Sequence, residues 1–220
     1  KKLLTLEANE VLKQLNKVYF RTTEHPVAKN LIEKGIIYKT FDKLYDACED
    51  FDGLYKKIAE NLIEKVHLEE QVFYAVPGHP NLYDDSVKYI YDLADETIEV
   101  KAIYGASVHE VALNAIGLAI TDDLLITNAL DVKKHRIDYK KNSLITGVFN
   151  QFVASDLKVN LMDAYDLSHK IYYIHGAETE HERIGFIALE DLDRQRDYNH
   201  LTCFYLPKLT EKKDFSDLVA

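Results

Sequence analysis

Residues 72–80, Val-Phe-Tyr-Ala-Val-Pro-Gly-His-Pro, constrain the fold more tightly than any other stretch of this chain. Val72 to Val76 is an unbroken run of β-branched, aromatic and small apolar residues, as expected of a short strand covered on both faces in a parallel sheet. The run then stops at once. Pro77 and Pro80 cannot donate to a ladder, and Gly78 tolerates backbone angles closed to other residues, so the chain leaves the sheet at the strand's carboxyl end with its backbone accessible. In open α/β sheets ligands bind along that edge. The plainer alternative is a sharp turn from strand to helix.

The chain before and after this stretch keeps an α/β rhythm. Leu4, Ala8, Val11, Leu12 and Leu15 share a helical face, Val18-Tyr19-Phe20 reads as a strand, and 27–33 as a short helix closed by Gly35. Ile36 to Tyr38 follows as a strand. Leu54, Ile58, Leu62 and Val66 recur every four residues along a helix that leads into the opening strand. Beyond that strand, Val87, Ile90, Tyr91 and Ala94 share a helical face, with Asp84 or Asp85 as its cap.

A second junction of the same kind lies at Gly105-Ala106-Ser107. Ile98 to Tyr104 alternates as a strand should, and Val111, Ala112, Ala115 and Ile116 then define a helix, with Ser107 and Glu110 at capping-box spacing. A small-residue loop that feeds a helix N-terminus suits a carboxylate, a hydroxyl or an adenine edge; alternatively the cap serves only its helix. Residues 121–141 read as a polar stretch. Strands follow at 143–149, 171–174, 184–189 and 203–206, with a helix through Val153, Leu157, Leu161, Met162 and Tyr165. The strand at 171–174 ends in His175-Gly176-Ala177, a third glycine-bearing strand end. The short links between the late strands suggest an antiparallel or mixed sheet. We therefore expect two α/β lobes, 1–100 with a parallel sheet and 101–220 with a mixed one, and a ligand where the three strand-end loops meet.

Composition removes several classes of function. A net charge of −10 offers no basic face for a phosphate backbone, so a nucleic acid is not an expected partner. The two cysteines, Cys48 and Cys203, are too few for a disulfide framework and fit a reducing cytoplasm. No apolar run is long enough to span a membrane. None of the nine histidines forms His-Glu-x-x-His, so no metal site is expected. Nucleophile-elbow, Walker and dinucleotide glycine motifs are absent as well, which leaves Ser107 a cap rather than a nucleophile.

Tyr-Ala-Val-Pro-Gly-His-Pro at 74–80, Gly-Ala-Ser at 105–107, Phe-Val-Ala-Ser-Asp-Leu-Lys-Val-Asn-Leu-Met at 152–162 and the opening Leu-Leu-Thr-Leu-Glu-Ala resemble the tetrapyrrole (corrin/porphyrin) methylase family. Phe-Arg-Thr-x-x-His-Pro-Val, from Phe20 onward, is similar to the version fused in bacteria to MazG-type pyrophosphohydrolases. The resemblance implies a homodimer of two-lobed chains with S-adenosylmethionine in the cleft between the lobes. It also implies cofactor contacts at Pro77, Gly78, His79 and Leu82, at Gly105, Ser107 and Val108, at Val148, and at Gly176 and Ala177. Catalytic residues are not implied.

The chain also departs from the family. His79 stands where relatives that methylate corrinoids carry the aspartate of Gly-Asp-Pro. The family's first strand, with its Gly-x-Gly-Pro-Gly-Asp loop, is expected upstream of Leu3. Two functions follow from the resemblance: methyl transfer from S-adenosylmethionine to an unidentified small-molecule acceptor, or a regulatory module that binds S-adenosylmethionine or another nucleotide for an attached MazG-type hydrolase. The acidic helical metal sites of such a hydrolase are not in this chain.

Overall fold

The computed structural model describes residues 3–47, 51–69, 71–133 and 137–209, which divide into two compact units, one ending at Ser107 and the other beginning at Val108. Cys48 lies outside the described residues.

In the first unit, α1 (Leu6–Gln14) starts at Thr5, whose hydroxyl accepts the Ala8 N–H, and leads into β1 (Lys17–Phe20). Next come α2 (Pro26–Glu33) and β2 (Ile37–Thr40), joined through Gly35 at φ +84°. Then α3 (Asp42–Ala47) and α4 (Phe51–Val66) return the chain to β3 (Tyr74–Ala75), and α5 (Asp85–Leu93) follows. The sheet order is β2-β1-β3, parallel throughout, with Tyr19 opposite Lys39 on one side and Tyr74 on the other.

Side-chain alternation gives β1 two different neighbourhoods. Tyr19 points into the cluster of Phe41, Leu54, Ile58 and Leu62, while Val18 and Phe20 point the other way, to Ala28 and Leu31. The stretch at 72–76 splits in the same manner. Val72 and Tyr74 pack with the α4 side and Phe73 and Ala75 with the α2 side, so both faces are covered as the unbroken apolar run requires. The strand itself is shorter than expected, although the Phe73 and Ala75 carbonyls still accept the Tyr19 and Arg21 amides. Ile98 to Tyr104 corrects an expectation. Its side chains alternate in exposure only as far as Lys101, since Lys101 and Ala102 are both exposed, and the segment joins no ladder among the described residues.

The second unit opens with α6 (Val108–Ala115) and builds a five-stranded sheet from β4 (Leu124–Asn128), β5 (Asn142–Thr146), β6 (Lys170–His175), β7 (Arg183–Ala188) and β8 (Thr202–Leu206), with α7 (Gln151–Leu161) between β5 and β6. Its order is β4-β5-β8-β6-β7. The β4–β5 pair is parallel and the other neighbours are antiparallel, so the sheet is mixed as expected. One face, with Ile145, Ile171, Tyr173 and Phe204, packs with Leu157 and Leu161 of α7; the other, with Leu144, Ile174, Cys203 and Tyr205, packs with Ala112 of α6. β4 falls inside the stretch read as polar from sequence. Its side chains are all half-buried, which is why its apolar signal is diluted.

Candidate functional site

In the first unit the loop that leaves β3 carries Pro77, Gly78, His79 and Leu82, and the turn at Gly105 lies directly against it. A Cβ on Gly105 would come 2.3 Å from the Gly78 carbonyl oxygen, so two backbones meet there with no room for a side chain. Gly78 itself sits at φ +82°, a conformation natural to glycine. Gly105 is therefore required to be glycine by this backbone contact. His79 stacks edge-on against Tyr104, ring centroids 5.0 Å apart. Its Nδ1 accepts the Asn81 N–H at 3.1 Å, which places the proton of the neutral ring on Nε2. Leu82 is exposed, and Ser107, the last residue of this unit, is buried.

Behind the loop lies a buried polar cluster that the sequence reading missed. Arg21, at the end of β1, donates from Nη1 to Asp84 Oδ2 at 2.7 Å. The other oxygen of Asp84 accepts from the Ser86 hydroxyl and from the Val87 amide, which makes Asp84 the cap of α5. Tyr74 and Ser86 share a hydroxyl hydrogen bond of 2.9 Å. Burial, the largest influence, would lower the pKa of the Arg21 guanidinium, but the Asp84 carboxylate together with the nearby phenols of Tyr45, Tyr55 and Tyr74 outweighs it and raises it above the ordinary value. Burial raises the Tyr45 phenol to about 12 even with Arg21 nearby. In sequence the cluster showed only in part, through Asp84 as a candidate cap of the helix and Arg21 as a charge directly after a strand.

In the second unit Val108 opens α6 and packs, as Ala177 does, against the cluster around Ala112, Leu144 and Ile174. Val148 belongs to the opposite face of the sheet. It is fully buried among Ile145, Ala154 and Leu157, so only its backbone is available to a ligand. The residue before it, Gly147, was not singled out from sequence, yet it stands at φ +74° with its would-be Cβ 2.6 Å from the Asn128 amide nitrogen. Asn128 ends β4 and Gly147 follows β5, so these two mark the carboxyl edge of the parallel pair.

Gly176 follows β6 at φ +58°. Its carbonyl accepts from the Thr179 amide and hydroxyl, closing a tight turn, and its N–H donates to Leu201. This glycine too is required by its own turn. His175 is buried, with Nδ1 2.9 Å from the Thr202 hydroxyl, and burial holds its pKa below the ordinary histidine range. Cys203 is no nucleophile, because burial pushes its thiol up to about 12. Among the described residues no group of three or more His, Cys, Asp or Glu is placed to hold a metal ion, and no helix is long and apolar enough to cross a membrane.

Within the first unit Pro77–His79 offers backbone groups and the His79 imidazole; within the second, Gly147–Val148 and Gly176–Ala177 offer backbone groups, with Glu178 directly after Ala177.

Comparison with known proteins bears on the family and the fold. Residues 1–193 match the tetrapyrrole (corrin/porphyrin) methylases. The uncharacterized protein YabN of Bacillus subtilis is 27% identical over 96% of this chain and 43% of its own length. A probable cobalt-precorrin-2 C(20)-methyltransferase of Methanocaldococcus jannaschii is 30% identical over 56% of this chain and 55% of its own. The chain thus spans about half the length of the curated relatives it matches. The uroporphyrin-III C-methyltransferase of Thermus thermophilus shares the fold. One of its structures gives a TM-score of 0.72 at 16% identity, covering 94% of this chain and 89% of that one. Its complex with S-adenosylhomocysteine gives 0.64 at 16% identity, covering 93% and 86%. The chain belongs to the tetrapyrrole (corrin/porphyrin) methylase family.

Proposed function

We propose that the chain is an S-adenosylmethionine-dependent methyltransferase of the tetrapyrrole methylase type, acting on an unidentified small-molecule acceptor. The observation that carries this reading is the family match over residues 1–193, joined to glycine-bearing loops at the carboxyl ends of parallel strands, where such sheets bind ligands. The residues in contact would be Pro77, Gly78, His79, Leu82, Gly105 and Ser107 in the first unit and Val108, Val148, Gly176 and Ala177 in the second, with Asn128 and Gly147 added from the geometry. Bound S-adenosylmethionine would supply an electrophilic methyl group on a sulfonium. The chain's part is to hold donor and acceptor in line and keep water out, and orientation of that kind supplies much of the acceleration in such transfers. His79 presents an imidazole in the loop where, as the resemblance implies, corrinoid-methylating relatives carry a carboxylate.

That same imidazole favours a second reading, a non-catalytic module that binds S-adenosylmethionine or another nucleotide on behalf of an attached MazG-type hydrolase. A homodimer accompanies either reading, and light scattering at micromolar concentration tests it. Isothermal titration with S-adenosylhomocysteine tests the methyl-donor site; no heat at millimolar ligand rejects the methyltransferase and leaves the second reading only with another nucleotide. Labelled methyl donor incubated with cell extract separates them, since only the methyltransferase delivers label to an acceptor that gains about 14 Da.

A further inference from the structure

Asp84 has 3% of its side chain exposed, the least of any partner in the described ion pairs, and it sits where the loop from β3 enters α5. The network around it joins three elements. Arg21 comes from the end of β1, and its own amide is bonded to the Ala75 carbonyl of β3. Tyr74 comes from β3 and Ser86 from the first turn of α5, and their hydroxyls meet at 2.9 Å. Both ends of the 76–83 loop are thus tied to one buried cluster.

A buried ion pair is weak evidence of a contribution to stability, because desolvation offsets most of the attraction. Arg21 adds a further cost. Its Nε is buried and finds no hydrogen-bond partner among the described residues. The cluster also adjoins a strained position: Tyr83, immediately before Asp84, holds φ +57°, an unusual conformation for an aromatic residue. Strain of this sort persists where the surroundings over-determine the backbone, and it gathers at ligand-binding segments.

We propose that Arg21 is a positioning residue: with Asp84, Ser86 and Tyr74 it forms a clasp that holds the loop carrying Gly78, His79 and Leu82 in its ligand-ready conformation. The inference rests on the reading that this loop contacts S-adenosylmethionine. A loop already ordered need not be ordered at the expense of affinity.

Hydrogen–deuterium exchange on the full chain tests the clasp without any ligand. The informative variant is the double substitution Arg21→Met with Asp84→Asn, which removes both charges together, so that no lone charge stays buried, and keeps an N-cap residue at 84. The amides of Gly78, His79, Asn81, Leu82 and Tyr83 are expected to exchange about tenfold faster, while Val18 to Phe20 and α4 keep their protection. Affinity for S-adenosylhomocysteine falls about tenfold in parallel. The single variant Arg21→Lys keeps a donor for Asp84 and recovers most of the loop's protection. Unchanged exchange across the loop overturns the proposal. So does loss of protection spread evenly through β1 and α4, because the cluster would then serve only the core. If the wild-type chain binds no S-adenosylhomocysteine, the methyl-donor reading fails, and the exchange comparison still decides the clasp.

Discussion

Glycines at 35 and 105 show how differently the same residue type can be required. Gly35 has φ +84° and open space around it, so alanine there costs about 1–2 kcal/mol of backbone strain and nothing else. A Cβ added at Gly105 would come 2.3 Å from the Gly78 carbonyl oxygen, and that backbone cannot step aside without moving the loop. Gly105→Ala is expected to cost about 1–3 kcal/mol by overpacking and to abolish titration with S-adenosylhomocysteine, whereas Gly35→Ala leaves the titration intact. Equal binding by the two variants would show that the 78–105 contact is not part of the site. His175 supports a prediction about pH. Burial depresses its folded-state pKa, so the unfolded chain takes up a proton near pH 6.5 that the folded chain refuses. Its neutral form is therefore fully compatible with folding above about pH 6.5, and stability is lost as pH falls below that value. His109 and His169 are shifted in the same direction, also by burial. The melting temperature should drop on acidification from about pH 7 to about pH 5, and His175→Gln should flatten that dependence. An identical slope in the variant would assign the effect to other groups.

At the scale of elements, what could be read in the sequence follows how many neighbours each segment has. α4 was legible because Leu54, Ile58 and Leu62 are all buried on one face, and β1 because both its faces are covered. β4 was hidden: it pairs on one side only, its residues are half-buried, and polar residues surround it. Ile98 to Tyr104 erred in the opposite direction, since alternation records which way side chains point and cannot supply a ladder partner. The loops at Gly78, Gly105 and Gly176 were found because glycine and proline punctuate the chain. Arg21–Asp84 was not, because the two are 63 residues apart and only the parallel pairing of β1 with β3 brings them together. Gly147 was overlooked because it was read as the interior of a strand that in fact ends at Thr146.

Across the whole molecule, each unit has its own cores, and this makes the effect of a core substitution local. Leu54 in the first unit and Leu157 in the second are each 1% exposed, and each anchors a cluster made of residues from its own unit alone. Truncation to alanine removes the same three carbons from both sites, so each variant should lose about 2–5 kcal/mol, depending on how far the cavity collapses. If the units open separately, Leu54→Ala raises hydrogen exchange at Val18 to Phe20 and along α4 while Leu144, Ile145 and 171–174 keep wild-type protection. Leu157→Ala produces the converse. Thermal melts of the two variants then broaden or split, because one unit melts ahead of the other. If either variant loosens both sets of amides to the same extent and the melt stays single and sharp, the two units unfold as one cooperative structure, and the autonomy inferred from their separate cores is wrong.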